Sequence, residues 1–286
     1  MLATVLKQDH FDLFVAPAAD LSGAQAKHLT FRTRVGGFTW TPGGQMILGQ
    51  DALNLFHPDS GDMTPLTSPQ QDGLAFFPSA CANGRYVVSS IGLHGSARTV
   101  TIWRMDAGGG NLKQLSDGKM DQFAICSPDE KWVYYSDLAN GAKLTRVPLE
   151  GGKPERISEL PAYGFDISPD GKLAAFSTVR SPSNPKQQLA LVSVDSPQNT
   201  KLLDPQRPVQ WTVRFTPDGK AVVYPFPDQD ADNLWLQPLD GSPGKQITNF
   251  KSEHITELHW SFDGSKLGLI RGHTDSDVVL LQESKP

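Results

Sequence analysis

Hydrophobic and polar positions along this chain alternate in short runs, not in the three-to-four-residue rhythm of an amphipathic helix. Runs of four to seven apolar or alternating residues are separated by clusters of Ser, Pro, Asp and Gly, which is the pattern of many short strands joined by tight turns. One such unit recurs. Three copies are plain: FDISPDGKLAAFS (165–177), VRFTPDGKAVVYPF (213–226) and LHWSFDGSKLGLI (258–270). A fourth is FAICSPDEKWVYYS (123–136), and GFTWTPGGQMILG (37–49) and SACANGRYVVSS (79–90) are degraded versions. Aligned on Gly44, Gly84, Glu130, Gly171, Gly219 and Gly264, the copies are 40, 46, 41, 48 and 45 residues apart.

Each copy has a simple physical reading. Proline presets φ for a turn, aspartate bonds back to the backbone, and glycine accepts a positive φ. The β-branched and aromatic residues on either side favour strands, so the unit is a hairpin. A second signature follows each hairpin: an alternating strand, a small-residue turn, and a short strand near Leu-Thr or Ile-Thr. NLWLQPLDGSPGKQITNF (233–250), KLTRVPLEGGKPERIS (143–158) and TIWRMDAGGGNLKQLS (101–116) show it. Four short antiparallel strands, a to d, every 40–48 residues predict an all-β fold, a β-propeller of four-stranded blades. The whole chain, 1–286, reads as a single domain. A β-sandwich is the alternative, but it does not repeat one turn sequence at blade spacing.

The chain ends set the expected blade number. LATVLKQ (2–8) reads as a b strand, FDLFVAP (11–17) as a c strand and KHLTF (27–31) as a d strand. SDVVLLQ (276–282) reads as a final c strand. The tally of seven b and seven c strands against six a and six d predicts seven blades with incomplete ends. A six-bladed ring closed by an N-terminal strand is the alternative. The missing first a strand suggests a fragment of a longer protein.

Composition changes this picture little. The formal net charge of −5 and the lack of a basic run argue against nucleic-acid binding. The first apolar run is broken by Lys7, Gln8 and Asp9, too early for a signal peptide, and no apolar stretch approaches the ~20 residues of a membrane span. Cys81 and Cys126 have no metal-ligand spacing and read as two buried thiols.

The SPDG hairpin with its LDGG-like turn and closing Leu-Thr resembles the PD-type propeller repeats of TolB-like proteins over nearly the whole chain. The C-terminal part, on Asn249-Phe250-Lys251-Ser252, Trp260-Ser261 and Arg271-Gly272 through Leu280, also resembles the C-terminal propeller of bacterial eukaryotic-like serine/threonine kinases. That resemblance implies a sensor or binding module outside the cytoplasm, attached to a membrane kinase. The kinase motifs themselves are missing from this chain: no HRD loop, no DFG, no Val-Ala-Ile-Lys strand. No enzyme activity is expected, and no cofactor.

Candidate chemistry is sparse. The seven histidines share no ligand spacing, which leaves a channel-metal enzyme as a minor reading. Gly92-Leu93-His94-Gly95-Ser96 is not a nucleophile elbow. Asp129, Asp170, Asp218 and Asp263 read as turn formers, and Trp103, Phe176, Tyr224, Trp235 and Trp260 as core. Binding is expected on the face carrying the d–a and b–c connections, where long loops lie opposite the tight turns. The expected loops are 177–188, 225–233 and 271–277, with Arg34, Lys119, Arg180, Arg207, His254 and His273 as candidate binding residues. The expected partner is a protein or a small extracytoplasmic ligand, met by a monomer without membrane contact of its own.

Overall fold

The computed structural model describes the backbone of residues 2–22, 26–30, 35–92, 99–181 and 184–281. These residues form six four-stranded antiparallel sheets. Five are sequential blades, spanning 38–65, 74–114, 121–161, 165–203 and 214–246. We number them 1 to 5. The sixth blade takes strands from both ends of the chain. Its inner strand a is His254–Trp260, b is Lys266–Leu281, c is Leu2–Pro17 and d is Lys27–His28.

The fold is therefore the propeller that the repeat predicts, but with six blades instead of seven. The separate b and c strands expected at each end are single 16-residue strands. They pair without a break from Leu2↔Leu281 to Pro17↔Lys266. The polar stretches around Asp9 and Thr274 looked like turns, yet they lie opposite each other inside this pair, with Thr274 Oγ1 donating to Asp9 Oδ1 at 2.8 Å. The expected loop at 271–277 is accordingly strand. Two other expected loops shrink similarly, because strands Leu173–Ser181 and Asn184–Ser193, and Ala221–Asp228 and Ala231–Pro238, run almost to their turns.

The turn signature does what its residues dictate. In blade 4 the Gly171 amide donates to the Ser168 carbonyl at 2.8 Å, Ser168 Oγ donates to Asp170 Oδ1 at 2.6 Å, and the Lys172 amide donates to the same oxygen at 3.1 Å. All six aligned turn residues have positive φ, from 57° at Glu130 to 80° at Gly44. The aspartates are consumed by these local bonds, which hold their carboxyls below the usual range at Asp170, Asp218 and Asp263.

Among the described residues, six apolar clusters form, one between each pair of neighbouring blades. This is the packing of a closed ring, in which each blade buries both faces only against its neighbours. The closing blade shows why the N-terminal strand belongs there. Leu13 packs with Phe38 and Trp40 of blade 1, while its neighbour Phe14 packs against the cluster of Val223 and Leu234 of blade 5. Alternate residues of one strand thus serve two interfaces.

The cysteines are not two thiols. Cys81, in the a–b turn of blade 2, and Cys126, at the end of the inner strand of blade 3, form a disulfide with Cα atoms 5.4 Å apart. Their sequence separation of 45 is one blade pitch, so stacking places them side by side. Closing a 45-residue loop constrains the unfolded chain by about 4 kcal/mol in the chain-entropy account. The double variant Cys81→Ala/Cys126→Ala should lose about that much stability in urea unfolding, about 4 kcal/mol. An unchanged midpoint, or two thiols titrating in the denatured unreduced protein, would contradict the bridge.

Candidate functional site

The inner strands converge on the axis, and their period-2 alternation selects which residues face it. Counting back from the aligned turn residue, the seventh position is Gly37, Phe77, Phe123, Gly164, Thr212 or Glu257, and all six line one axial cavity. The fifth position is Thr39, Ser79, Ile125, Asp166, Arg214 or His259, and Ser79, Ile125, Arg214 and His259 line it too. The cavity holds about 760 Å³. Its mouth is built by Leu138, Gln210, Trp211, Asp232 and His254, which belong to d–a and b–c connections and the strand ends beside them. It therefore opens on the expected face.

One side of the cavity is apolar. Phe77 and Phe123 sit at bulges in the inner strands of blades 2 and 3, with φ of 52° and 62°. A left-handed backbone is costly for a bulky residue, on the order of 1–3 kcal/mol each. At these bulges it accompanies two half-buried rings whose centroids are 4.6 Å apart at the cavity wall. Tyr163 and Trp211 continue the wall at the mouth. A Cβ on Gly164 would meet the Trp211 carbonyl oxygen at 1.6 Å, so only glycine lets these two connections pack. Trp211 is left 69% exposed, edge-on to Tyr163 at 5.4 Å. Both residues also wall a smaller apolar groove of about 330 Å³ between blades 4 and 5.

The opposite side is charged. The Arg214 guanidinium makes five contacts across three blades. It donates to the carbonyls of Leu258 at 3.0 Å, Phe165 at 3.0 Å and Val213 at 2.9 Å, and to Glu257 Oε1 at 2.5 Å, and it lies 3.1 Å from His259 Nε2. Burial raises the Glu257 carboxyl, but the Arg214 charge and the His259 contact outweigh it and hold the pKa below its ordinary value. Burial and the same guanidinium push the His259 imidazole down. Asp166 accepts the Phe215 amide at 2.8 Å, yet burial pushes its carboxyl up to about 6. Nearer the mouth, Asp232 is 1% exposed. It accepts the Ile255 amide at 2.9 Å and Gln210 Nε2 at 3.1 Å, and lies 3.4 Å from His254 Nδ1.

Of the six candidate residues, the cavity includes His254. Lys119 is exposed away from it, its carbonyl accepting the Val100 amide. Arg207 is an exposed rim residue, stacked over Phe226 and Trp235 at 5.3 and 5.7 Å. His273 lies in strand b of the closing blade, opposite His10 with ring centroids 5.3 Å apart, and Asp275 is 3.2 Å from His10 and 3.7 Å from His273. Arg34 and the Arg180 side chain fall outside the described residues. Among the described residues no group of three His, Cys, Asp or Glu is placed to hold a metal ion, and no helix is long and apolar enough to cross a membrane.

Arg214 is a structural pin, so its loss has a defined cost. Arg214→Met should destabilise by roughly 3–5 kcal/mol, because Glu257 stays buried without its cation. Arg214→Met/Glu257→Gln should recover part of that in the same urea unfolding. Asp166 gives a pH signature. Its carboxyl binds a proton more tightly folded than unfolded, so its contribution is full below the ordinary value of 3.8 and is lost as pH rises through about 6. The stability advantage of wild type over Asp166→Asn should therefore shrink between pH 4 and 7, about that folded value, and then level off. A pH-independent difference would contradict it.

Comparison with known proteins agrees with this architecture. No family model matches the sequence, and no curated protein matches it. The chain is similar in fold to a putative TolB from Agrobacterium tumefaciens, with a TM-score of 0.76 at 15% identity, covering 93% of this chain and 99% of that one. It is also similar to TolB from Acinetobacter baumannii, with a TM-score of 0.63 at 17% identity over 94% of this chain and 66% of that one. A chain of a nidogen/laminin complex gives a TM-score of 0.66 at 12% identity over 91% and 98%. The fold of this chain is thus a TolB-like β-propeller.

Proposed function

We propose that this chain is a non-catalytic module that binds a partner protein through its axial cavity. The observation that carries the reading is the mouth of that cavity, where Trp211 and Tyr163, 69% and 43% exposed, stand beside a space of about 760 Å³. Exposed aromatic residues at the rim of a concave apolar site are the composition of interface anchors. The nidogen/laminin structure is a complex by its own description, which supports protein binding by propellers of this shape. Among the described residues, no nucleophile is hydrogen-bonded to the side chain of His254 or His259. Their polar side-chain contacts are with Asp232, Arg214 and Glu257.

The finer part of the proposal is the setting. The resemblance around 249–280 supports a sensor joined to a bacterial membrane serine/threonine kinase, and the Cys81–Cys126 bridge supports an oxidising compartment. A TolB-like scaffold without a kinase is the second reading, supported by the fold similarity. The coding sequence upstream of Met1 separates them: an in-frame kinase and transmembrane helix support the first, and a reading frame that starts at Met1 overturns it.

A photo-crosslinking residue tests the binding face itself. Placed at Trp211 or Thr256 in the native host, it should give one discrete protein adduct. Placed at Asp240, in a c–d turn on the opposite face, it should give none. Adducts equal on both faces, or absent at the cavity, would contradict the proposal.

A further inference from the structure

We infer that the axial cavity receives a cationic side chain, arginine or lysine, from the partner protein. The inference rests on the proposed binding role and names the chemistry of the group that enters.

Three observations carry it. The first is charge. Among the described residues, the carboxylates of Asp232 and Glu257 line the cavity and Asp166 is buried beside it, against the guanidinium of Arg214. The imidazole of His259 is held neutral by burial and by Arg214. A low-dielectric pocket with this balance attracts a cation.

The second is an open acceptor. Glu257 is 8% exposed and lines the cavity. Its Oε1 takes the Arg214 contact at 2.5 Å, the His259 contact at 3.2 Å and the Leu258 amide at 3.3 Å. Its Oε2 accepts no hydrogen bond among the described residues. Arg214 sends none of its N–H groups to that oxygen: four go to the Leu258, Phe165 and Val213 carbonyls and to Oε1, and the remaining one lies toward His259 Nε2. Oε2 is not one of the buried polar atoms left without a partner, so it opens to the cavity, where a charged donor from outside can reach it.

The third is the facing wall. In a six-bladed ring blade 3 lies across the axis from blade 6, so Phe123 stands opposite Glu257, with Phe77 in contact with Phe123. Aromatic faces on one side and carboxylates on the other suit a cation with an apolar stem, which gains both the ring quadrupole and a charged hydrogen bond. A neutral apolar group would leave the acceptor unmet.

The test uses small probes on the whole chain, followed by NMR. N-acetyl-arginine methylamide and N-acetyl-lysine methylamide should shift cavity signals in a saturable way. N-acetyl-citrulline methylamide, the neutral isostere of the arginine probe, should not. Glu257→Gln should weaken the arginine probe by roughly tenfold or more. Glu257→Gln can also disturb folding, so Thr256→Lys is the second variant. Thr256 is exposed on the cavity wall, and an ammonium placed there should abolish binding of both cationic probes while the fold stays intact. Binding of citrulline as strong as arginine would overturn the inference. So would tighter binding of choline than of either amide, because the cation would then be a free small molecule. If N-acetyl-tryptophan methylamide binds and the cationic probes do not, the inference fails while the proposed binding face stands. Silence from every probe overturns it too, and the crosslinking result then decides the binding face separately.

Discussion

The pairing of the two chain ends is the interaction on which the rest of this molecule depends. Strands Leu2–Pro17 and Lys266–Leu281 run antiparallel along their full length, and together they make the middle of the sixth blade. A blade is a sheet with two apolar faces and cannot bury both alone. Without the N-terminal strand, Leu13 leaves the interface with blade 1 and Phe14 leaves the interface with blade 5. The ring would open at one blade and lose packing at two seams. Closure also fixes six inner strands around one axis, and the axial cavity exists only because they surround it.

The axis shows how a repeat with one fold can present a single, asymmetric site. The position seven residues before the turn lines the axis in all six blades, and the fifth does so in four of them. The residues at those positions are sorted: rings at Phe77 and Phe123 on blades 2 and 3, ionisable groups at Asp166, Arg214, Glu257 and His259 on blades 4 to 6. Arg214 links the inner strands of the three charged blades by hydrogen bonds to backbone and side chain. Fully bonded, it serves the ring more than a ligand. The groups left with open faces are the rings, Glu257 and the mouth residues.

Much of this was legible in the chain. The SPDG hairpins located the a and b strands and gave the fold class, because proline, aspartate and glycine act through local geometry that needs no tertiary context. Blade number was less legible. Gln8-Asp9-His10 and His273-Thr274-Asp275 look like turns by polarity, but two extended segments paired to each other keep polar residues in strand wherever both faces reach solvent. The disulfide was readable in principle, since 45 residues is the blade pitch and the ring sets such residues side by side. The site was hidden for another reason. Charged loop residues such as Lys119 and Arg207 draw attention, whereas the cavity is lined from within strands. The available signal was an ionisable residue at the fifth position before the turn in blades 4, 5 and 6, where the other blades carry Thr, Ser or Ile. Trp211 and Tyr163 had no such signal, because their exposure follows from the packing of Gly164 beneath the Trp211 backbone.

The central claim is that residues 2–17 complete a six-bladed ring. Amide hydrogen exchange measures this directly. In a closed ring the amides of 12–16 lie against strand residues 267–271, with Phe14 and Val15 also paired to 27–28, and they open only with the whole ring. They should be as slow as those of the buried inner strand 123–126. Fast exchange through 12–16, with the five sequential blades still protected, would mean that the N-terminal strand does not close the ring and would contradict the account.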